Sequence, residues 1–353
     1  MARKIRLGLF SYTYVRMIVM KAMLFKRQDY DKLTKLSFAE IAKYLQESGY
    51  KHEIDELAIE LKGADLLEAA LNLNLVRAFA KLRKISPPQL TLLIDAYMKK
   101  NDILNLKTVI RAKYQKLPLE QVRRLLIPVG IYSQDYYEKL MGFDTVEKVV
   151  GNIELLDESC RECGLKQFKE KGTLTEIENQ LDRAYIESVL RFTKRLPVQG
   201  RLFREFLMYG IDISNLKLIL RLKKEGVAKE EIAKHIIMSG KILGQDKLKK
   251  LISATYEDSI KMLENTEFGK MLARYSEELS GKGTFIDLEA EIDKFQLNKA
   301  MRHLHQYPLS VDTILGYMFA KEIEVKNLQM LVKGKQLGIS DEFLQKQLVI
   351  GNV

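Results

Sequence analysis

Any chemistry in this sequence has to begin from a few residues. Cys160 and Cys163 form a lone Cys-x-x-Cys in SCRECGL. That spacing suits a redox pair or half of a metal site, because structural zinc takes four ligands. No second cysteine pair exists, and His52, His235, His303 and His305 are scattered. His303 and His305 stand two apart, a spacing that diverges on a helix. No strand–helix pattern surrounds the cysteines, so they read as inert thiols, with a disulfide or an intersubunit metal as alternatives. SGKGT at 280–284 comes nearest to a phosphate-binding loop, but it lacks the first glycine and carries Gly after Lys. Gly-x-Ser-x-Gly and His-Glu-x-x-His are absent. Glu230 and Glu231 are neighbours, but among 47 acidic residues such pairs carry no catalytic information. The expectation is a non-catalytic chain with no cofactor and no metal.

The informative pattern is internal repetition, which has to be sought before fold class is argued. Residues 102–113 read DILNLKTVIRAK, 212–223 read DISNLKLILRLK and 324–335 read EVKNLQMLVKGK. Each gives acid-x-x-Asn-Leu, two apolar residues, a cation and a final Lys. The structural residues are Asp102 and Asn105, Asp212 and Asn215, Glu324 and Asn327, with the asparagines 110 and 112 apart. Glu120, Glu230 and Glu342 each follow their asparagine by 15 residues. Pro118, Ala228 and Ser340 stand where helices start. Val122, Leu126 and Ile127, then Ile232, Ile236 and Ile237, then Leu344, Leu348 and Val349 predict an amphipathic helix in each copy. Upstream, YDKLTKLS at 30–37 matches YEKLMGFD at 137–144, each leading into a short amphipathic segment. KMLENTEF at 261–268 reads as a weaker third copy.

These repeats predict an all-α fold of three similar helical domains, 1–133, 134–244 and 245–353, with glycine-containing connections at 153–180 and 276–286. Asp102 and Asp212 suit helix starts, where a carboxylate accepts backbone N–H bonds. Asn105, beside the apolar stripe, is expected to tie its helix to a neighbouring loop, with a direct partner-binding role as the alternative. Lys107 and Arg111 fall on the face opposite the stripe. Their equivalents are Lys217 and Arg221, then Gln329 and Lys333. Around a pseudo-threefold axis these cations would ring a cavity and bind an acidic or helix-C-terminal partner; a solvated outer face is the plainer reading.

Composition agrees with helix: 46% apolar, 30% charged and only 6 prolines in 353 residues. The net charge of +11 is uneven. Residues 1–133 hold 24 basic and 13 acidic residues, and the other two thirds nearly balance. One basic third fits an acidic protein face or an anionic membrane surface. The stretch 8–25 is the most apolar, but Arg16 and Lys21 interrupt it, so it reads as a largely buried helix rather than a membrane span or signal peptide.

The opening YTYVRMIVMKAMLF at 12–25 and the three acid-x-x-Asn-Leu copies resemble the C-subunit family of V-type/A-type rotary ATP synthases, the counterpart of the d-type subunit of the eukaryotic vacuolar ATPase. Length and the threefold repeat agree with that family. The third copy departs at Glu324, Gln329 and Lys333, and the Cys-x-x-Cys is no part of the family pattern. The resemblance implies a funnel of three helical domains on the central stalk. It would receive the central shaft subunits, rest on the membrane proteolipid ring and pass torque between ATP turnover and ion transport. It implies a peripheral protein at the cytoplasmic face of the cell membrane that carries no nucleotide or ion site and binds no nucleic acid. The competing readings are a helical-repeat nucleic-acid-binding protein, prompted by the basic first third, and a helical scaffold of another membrane complex. No RNA-binding signature supports the former.

Overall fold

A computed structural model of the chain describes residues 10–196, 201–238, 240–269, 271–272, 285–306 and 311–351. All regular structure among these residues is helical. The segments SGKGT (280–284) and most of 276–286 lie outside them. The chain forms two compact units, one made chiefly of residues 75–199, the other of 9–74 and 200–353. The divisions expected at 133 and 244 each fall inside a unit.

The unit of residues 75–199 is built around α6 (Pro88–Tyr114), 27 residues long and started by Pro at its first turn. Short helices follow: α7 (Leu119–Leu125), α8 (Gln134–Met141) and α9 (Val146–Gly151). Then come α10 (Glu158–Lys171) and α11 (Thr175–Lys194), which pack on each other and return α11 to α6. The core joins Leu106, Val109 and Ile110 of α6 to Val122, Tyr137, Val149, Ile177 and Leu181.

Helix α10 occupies much of the stretch 153–180 that the glycines suggested was a connection. Its glycines have other causes. Gly164 packs on α11, where an added Cβ would lie 3.2 Å from Ile177 Cγ1. Gly172 ends the helix in the left-handed conformation at φ 67°. Asp157 caps the start by accepting from Cys160 N.

The other unit repeats this plan. Helix α12 (Arg201–Lys224) is followed by α13 (Lys229–His235), α14 (Gln245–Ser253), α15 (Tyr256–Glu264) and α16 (Phe285–Gln306). Its core sets Leu216, Ile219 and Leu220 against Ile232, Leu248, Leu288 and Ile292, the counterparts of Leu106, Val109, Ile110, Val122, Tyr137, Ile177 and Leu181. The counterparts of α8 and α9 are therefore α14 and α15, which start earlier than the 261–268 copy expected from sequence.

The third long helix, α17 (Val311–Gln336), is followed only by α18 (Asp341–Gln347). It packs on α16 and α12, and its other partners come from the opposite end of the chain, where α1 (Ser11–Ala22), α2 (Arg27–Leu33), α3 (Phe38–Gln46), α4 (Lys51–Leu57) and α5 (Gly63–Lys84) lie: α1 and α3 pack against it, and Asn72 and Glu68 of α5 bond to Gln329 and Lys333. Helix α1 differs from its expected burial. Only Thr13, Met17 and Met20 are buried, while Tyr12, Val15, Val19 and Met23 face outward. The long apolar run overstated the core face, because it is apolar on both sides.

Candidate functional site

The motif acids sit mid-helix. Asp102 lies 14 residues after the first residue of α6, so it starts no helix. The α-helical core stripe continues upstream of it through Leu90, Leu93, Ile94 and Tyr97, all buried, and the proline pair at 87–88 marks the true start. The Asp102 carboxylate instead accepts from Ile131 N at 2.9 Å, Tyr132 N at 3.3 Å and the Tyr137 hydroxyl at 2.8 Å. Asp212 accepts from Lys241 N at 2.8 Å, Ile242 N at 2.7 Å and Leu243 N at 2.9 Å. Glu324 accepts from Phe25 N at 2.5 Å, the Tyr50 hydroxyl at 2.6 Å and Lys321 Nζ at 2.7 Å. Each buried carboxylate thus has three donors, the condition for keeping it buried. Burial still raises the acid pKa of Asp102 and of Asp212, and the hydrogen bonds oppose it.

Glycine makes room for the two aspartates. A Cβ at Gly130 would lie 1.8 Å from Asp102 Oδ1, and one at Gly240 would lie 1.9 Å from Asp212 Oδ1. Only a residue without a side chain lets the loop approach so closely.

The asparagines clamp the chain that follows. Asn105 Nδ2 donates to Ile127 O at 2.8 Å, and Ile127 N donates back to Asn105 Oδ1 at 3.0 Å. Asn215 makes the same pair with Ile237 at 2.7 and 3.1 Å. Asn327 does so with Val349 at 2.8 and 3.0 Å. The separation is 22 residues every time. The short helices are consequently shorter than the apolar stripe predicted. Each ends after seven residues, and Leu126, Ile236 and Leu348 are already extended. An asparagine amide presents one donor and one acceptor in the right order for an extended backbone, which helix would deny it.

The helix ends are also equivalent. Leu117 N, Val227 N and Ile339 N each donate to a carbonyl five residues back, from Ala112, Leu222 and Gly334, at 2.9 Å. The turn needs a left-handed residue, supplied by Gly226 at φ 72°, Gly338 at φ 69° and, exceptionally, Lys116 at φ 57°.

The cations expected to line a cavity are engaged within their own units. Lys107 Nζ meets both carboxylate oxygens of Asp182 at 2.7 Å, and Arg111 forks onto Glu178 at 2.7 and 2.6 Å. Lys217 meets Asp293 at 2.5 Å, and Arg221 pairs with Glu289. Lys333 meets Glu68 at 3.0 Å, and Gln329 donates to Asn72 Oδ1 at 2.7 Å. The second helix of each pair, α11, α16 or α5, was missed. Its signal is Glu-x-x-x-Asp/Asn: Glu178 with Asp182, Glu289 with Asp293, Glu68 with Asn72. Where the first two copies pair lysine with aspartate, the third pairs glutamine with asparagine, so both sides of the contact change together. Lys107 and Lys217 are mostly covered, whereas Arg111 and Lys333 keep 58% and 60% of their side-chain surface.

The chain that carries these anchors matches known proteins over nearly its whole length. A model of the ATP synthase (C/AC39) subunit family matches residues 14–347, from α1 to the end of α18. The chain belongs to that family. The C subunit of the A-type ATP synthase of Methanococcoides burtonii is 33% identical over 97% of this chain and 94% of its own length. Its namesake in Archaeoglobus fulgidus is 32% identical over 96% of each chain, and that in Methanosarcina acetivorans 31% identical over 97% and 93%. As a member of the ATP synthase (C/AC39) subunit family, the chain is a subunit of a membrane-bound rotary ATP synthase. Among the described residues no helix is long and apolar enough to cross a membrane, and no cluster of three metal-ligating side chains occurs. Cys160 and Cys163 are free thiols on one face of α10. Burial and the neighbouring Asp157 push the Cys160 thiol up to about 11, which keeps it protonated and slow as a nucleophile.

Proposed function

We propose that this chain is the non-catalytic rotor piece of the central stalk, coupling the central shaft to the membrane proteolipid ring. Three helical modules, each running from a long anchor helix to the helix bearing its acidic partners, would surround a pseudo-threefold axis as a funnel. The third module would be closed by the N-terminal segment. The shaft end would enter the funnel and the ring loops would meet its base, on the cytoplasmic face of the membrane.

The observation carrying this reading is the thrice-made anchor within a chain of this family. A torque-bearing part needs stiffness, and the anchors supply it. Every motif acid has three donors and every asparagine has two backbone bonds, so no local hinge is left at the centre of the long helices. Partner contact would then fall to the exposed outer edges of Arg111 and Lys333 and, in the second module, of Arg221, beyond the internal pairs that Lys107 and Lys217 make.

The test is affinity purification of the tagged full-length chain from its own cells. Shaft and proteolipid subunits should come down together with it. A complex reconstituted without the chain should hydrolyse ATP with ion transport lost. Recovery of neither shaft nor ring, or full ion transport without the chain, would remove the proposal.

A further inference from the structure

Helix α1 presents a feature that the coupling role does not use. Thr13, Met17 and Met20 face the core of its unit. Tyr12, Val15, Val19 and Met23 recur at intervals of three and four on the opposite side, 55–72% exposed. At 100° per residue this is one apolar stripe directed away from the protein. Exposed apolar side chains occur singly on most surfaces, but four on one helix face are a patch that requires a partner.

The charge around the stripe identifies the partner's chemistry. Residues 11–28, which hold α1 and the turn after it, contain four basic residues and no acidic one. Arg16 lies beside the stripe, and Lys26 and Arg27 follow the helix end. A cavity of about 700 Å³ adjoins the same helix. Its lining is chiefly apolar, with Ile18, Leu24, Phe25 and Ile323, and its cations are Lys21, Lys26 and Arg27. The carboxylate of Glu324 also lines it, but that group is already held by Tyr50 and Lys321. An apolar surface edged by cations is complementary to an amphiphile with an anionic headgroup. A protein helix would have to be both apolar and acidic, while an anionic bilayer offers both properties over any area.

We infer that α1 is an interfacial anchor, lying in the plane of an anionic bilayer with Tyr12, Val15, Val19 and Met23 in the acyl boundary and the surrounding cations among the headgroups. This attachment is independent of the rotor reading. It would hold the chain at the membrane surface whether or not the proteolipid ring is present.

The experiment uses the full chain and vesicles without other subunits. The protein should sediment with vesicles containing about 30% phosphatidylglycerol, bind pure phosphatidylcholine weakly, and release as salt rises from about 50 to about 500 mM. Val15→Ser with Val19→Ser should weaken binding about tenfold or more while circular dichroism stays unchanged. Because the chain has no tryptophan, Val19→Trp provides a single reporter. Its emission should shift to the blue on anionic vesicles and be quenched by brominated acyl chains. Absence of wild-type binding would overturn the inference. So would binding that ignores the serine substitutions, since charge alone would then account for it, or a reporter that stays in water. If the serine variant loses co-purifying subunits while the wild type ignores vesicles, the stripe is a protein interface and the inference fails.

Discussion

Gln329 donates to Asn72 at 2.7 Å where the other two copies hold lysine against aspartate. The contact joins residues 257 apart in sequence and fastens α17 to α5. If the two amides stand in for the ion pair, Gln329→Lys or Asn72→Asp alone should destabilise the protein by placing one unmatched charge in a half-buried contact. Making both changes together should recover the loss. Urea unfolding of the four proteins should give a favourable coupling energy of about 0.5–1.5 kcal/mol. Additive single effects would mean that the two sites are unconnected.

Lys116 occupies the left-handed turn that Gly226 and Gly338 fill in the other copies. A side chain there costs about 1 kcal/mol. Lys116→Gly should therefore stabilise the unit of residues 75–199 by roughly 0.5–1 kcal/mol, despite the greater freedom of glycine in the unfolded chain. Gly226→Ala and Gly338→Ala should each destabilise by a similar amount. Thermal melts of the three variants check the opposite signs.

Much of this architecture was legible in the sequence, and the remainder was hidden for identifiable reasons. Asn105, Asn215 and Asn327 were visible because their partner segments follow at one fixed distance, so the motif and its clamp repeat as a unit. The role of Asp102 was misread because an acid before an apolar run signals a helix start, and that signal outweighed the proline pair at 87–88 and the apolar stripe after it, which mark the earlier start of α6. Asp182 and Asp293 disappear among 47 acidic residues until Lys107 and Lys217 point to them. The third set was harder still. Glu324 finds Phe25 and Tyr50, and Lys333 finds Glu68, at the other end of the chain, which no reading of contiguous repeats anticipates.

Gly130 faces Asp102 so closely that Gly130→Ala must displace the carboxylate or the loop. Either movement breaks hydrogen bonds from Ile131, Tyr132 and Tyr137 in a buried site. The expected loss is about 2–4 kcal/mol, far above the cost of an ordinary surface Gly→Ala change. Gly240→Ala should do the same through Asp212. Gly151→Ala, where an added Cβ meets nothing within 4 Å, is the control and should change stability little. Equal effects at all three positions would show that backbone freedom, and not the carboxylate approach, sets the cost.

Asn105→Ala should remove both bonds to Ile127 and leave its backbone N–H and C=O without those partners. A loss of about 2–4 kcal/mol follows, mostly from the abandoned backbone groups. Asn105→Asp keeps the acceptor but loses the donor, and it sets a negative charge against Ile127 O. It should therefore be at least as damaging as alanine at neutral pH. Hydrogen exchange should localise the effect, with the Ile127 amide losing protection first. Unchanged protection there would show that other contacts hold this segment.

Burial raises the pKa of Tyr30, Tyr50, Tyr137, Tyr209 and Tyr317, and Glu324 adds to the rise at Tyr50 as Asp102 does at Tyr137. The folded chain therefore keeps these protons where the unfolded chain, with phenols near about 10, releases them. Fewer protons on the unfolded state means that stability falls as pH rises. The contribution is complete below about pH 10 and is lost progressively above it. Alkaline unfolding should be cooperative, and the 295 nm absorbance of these phenolates should appear together with loss of helix. Tyr50→Phe should remove part of the pH dependence, while costing stability at neutral pH because Glu324 loses the Tyr50 hydroxyl as a donor. Phenolate absorbance that rises in full while helicity is intact would show that these hydroxyls are open to solvent and that the buried anchors described above are looser than their geometry.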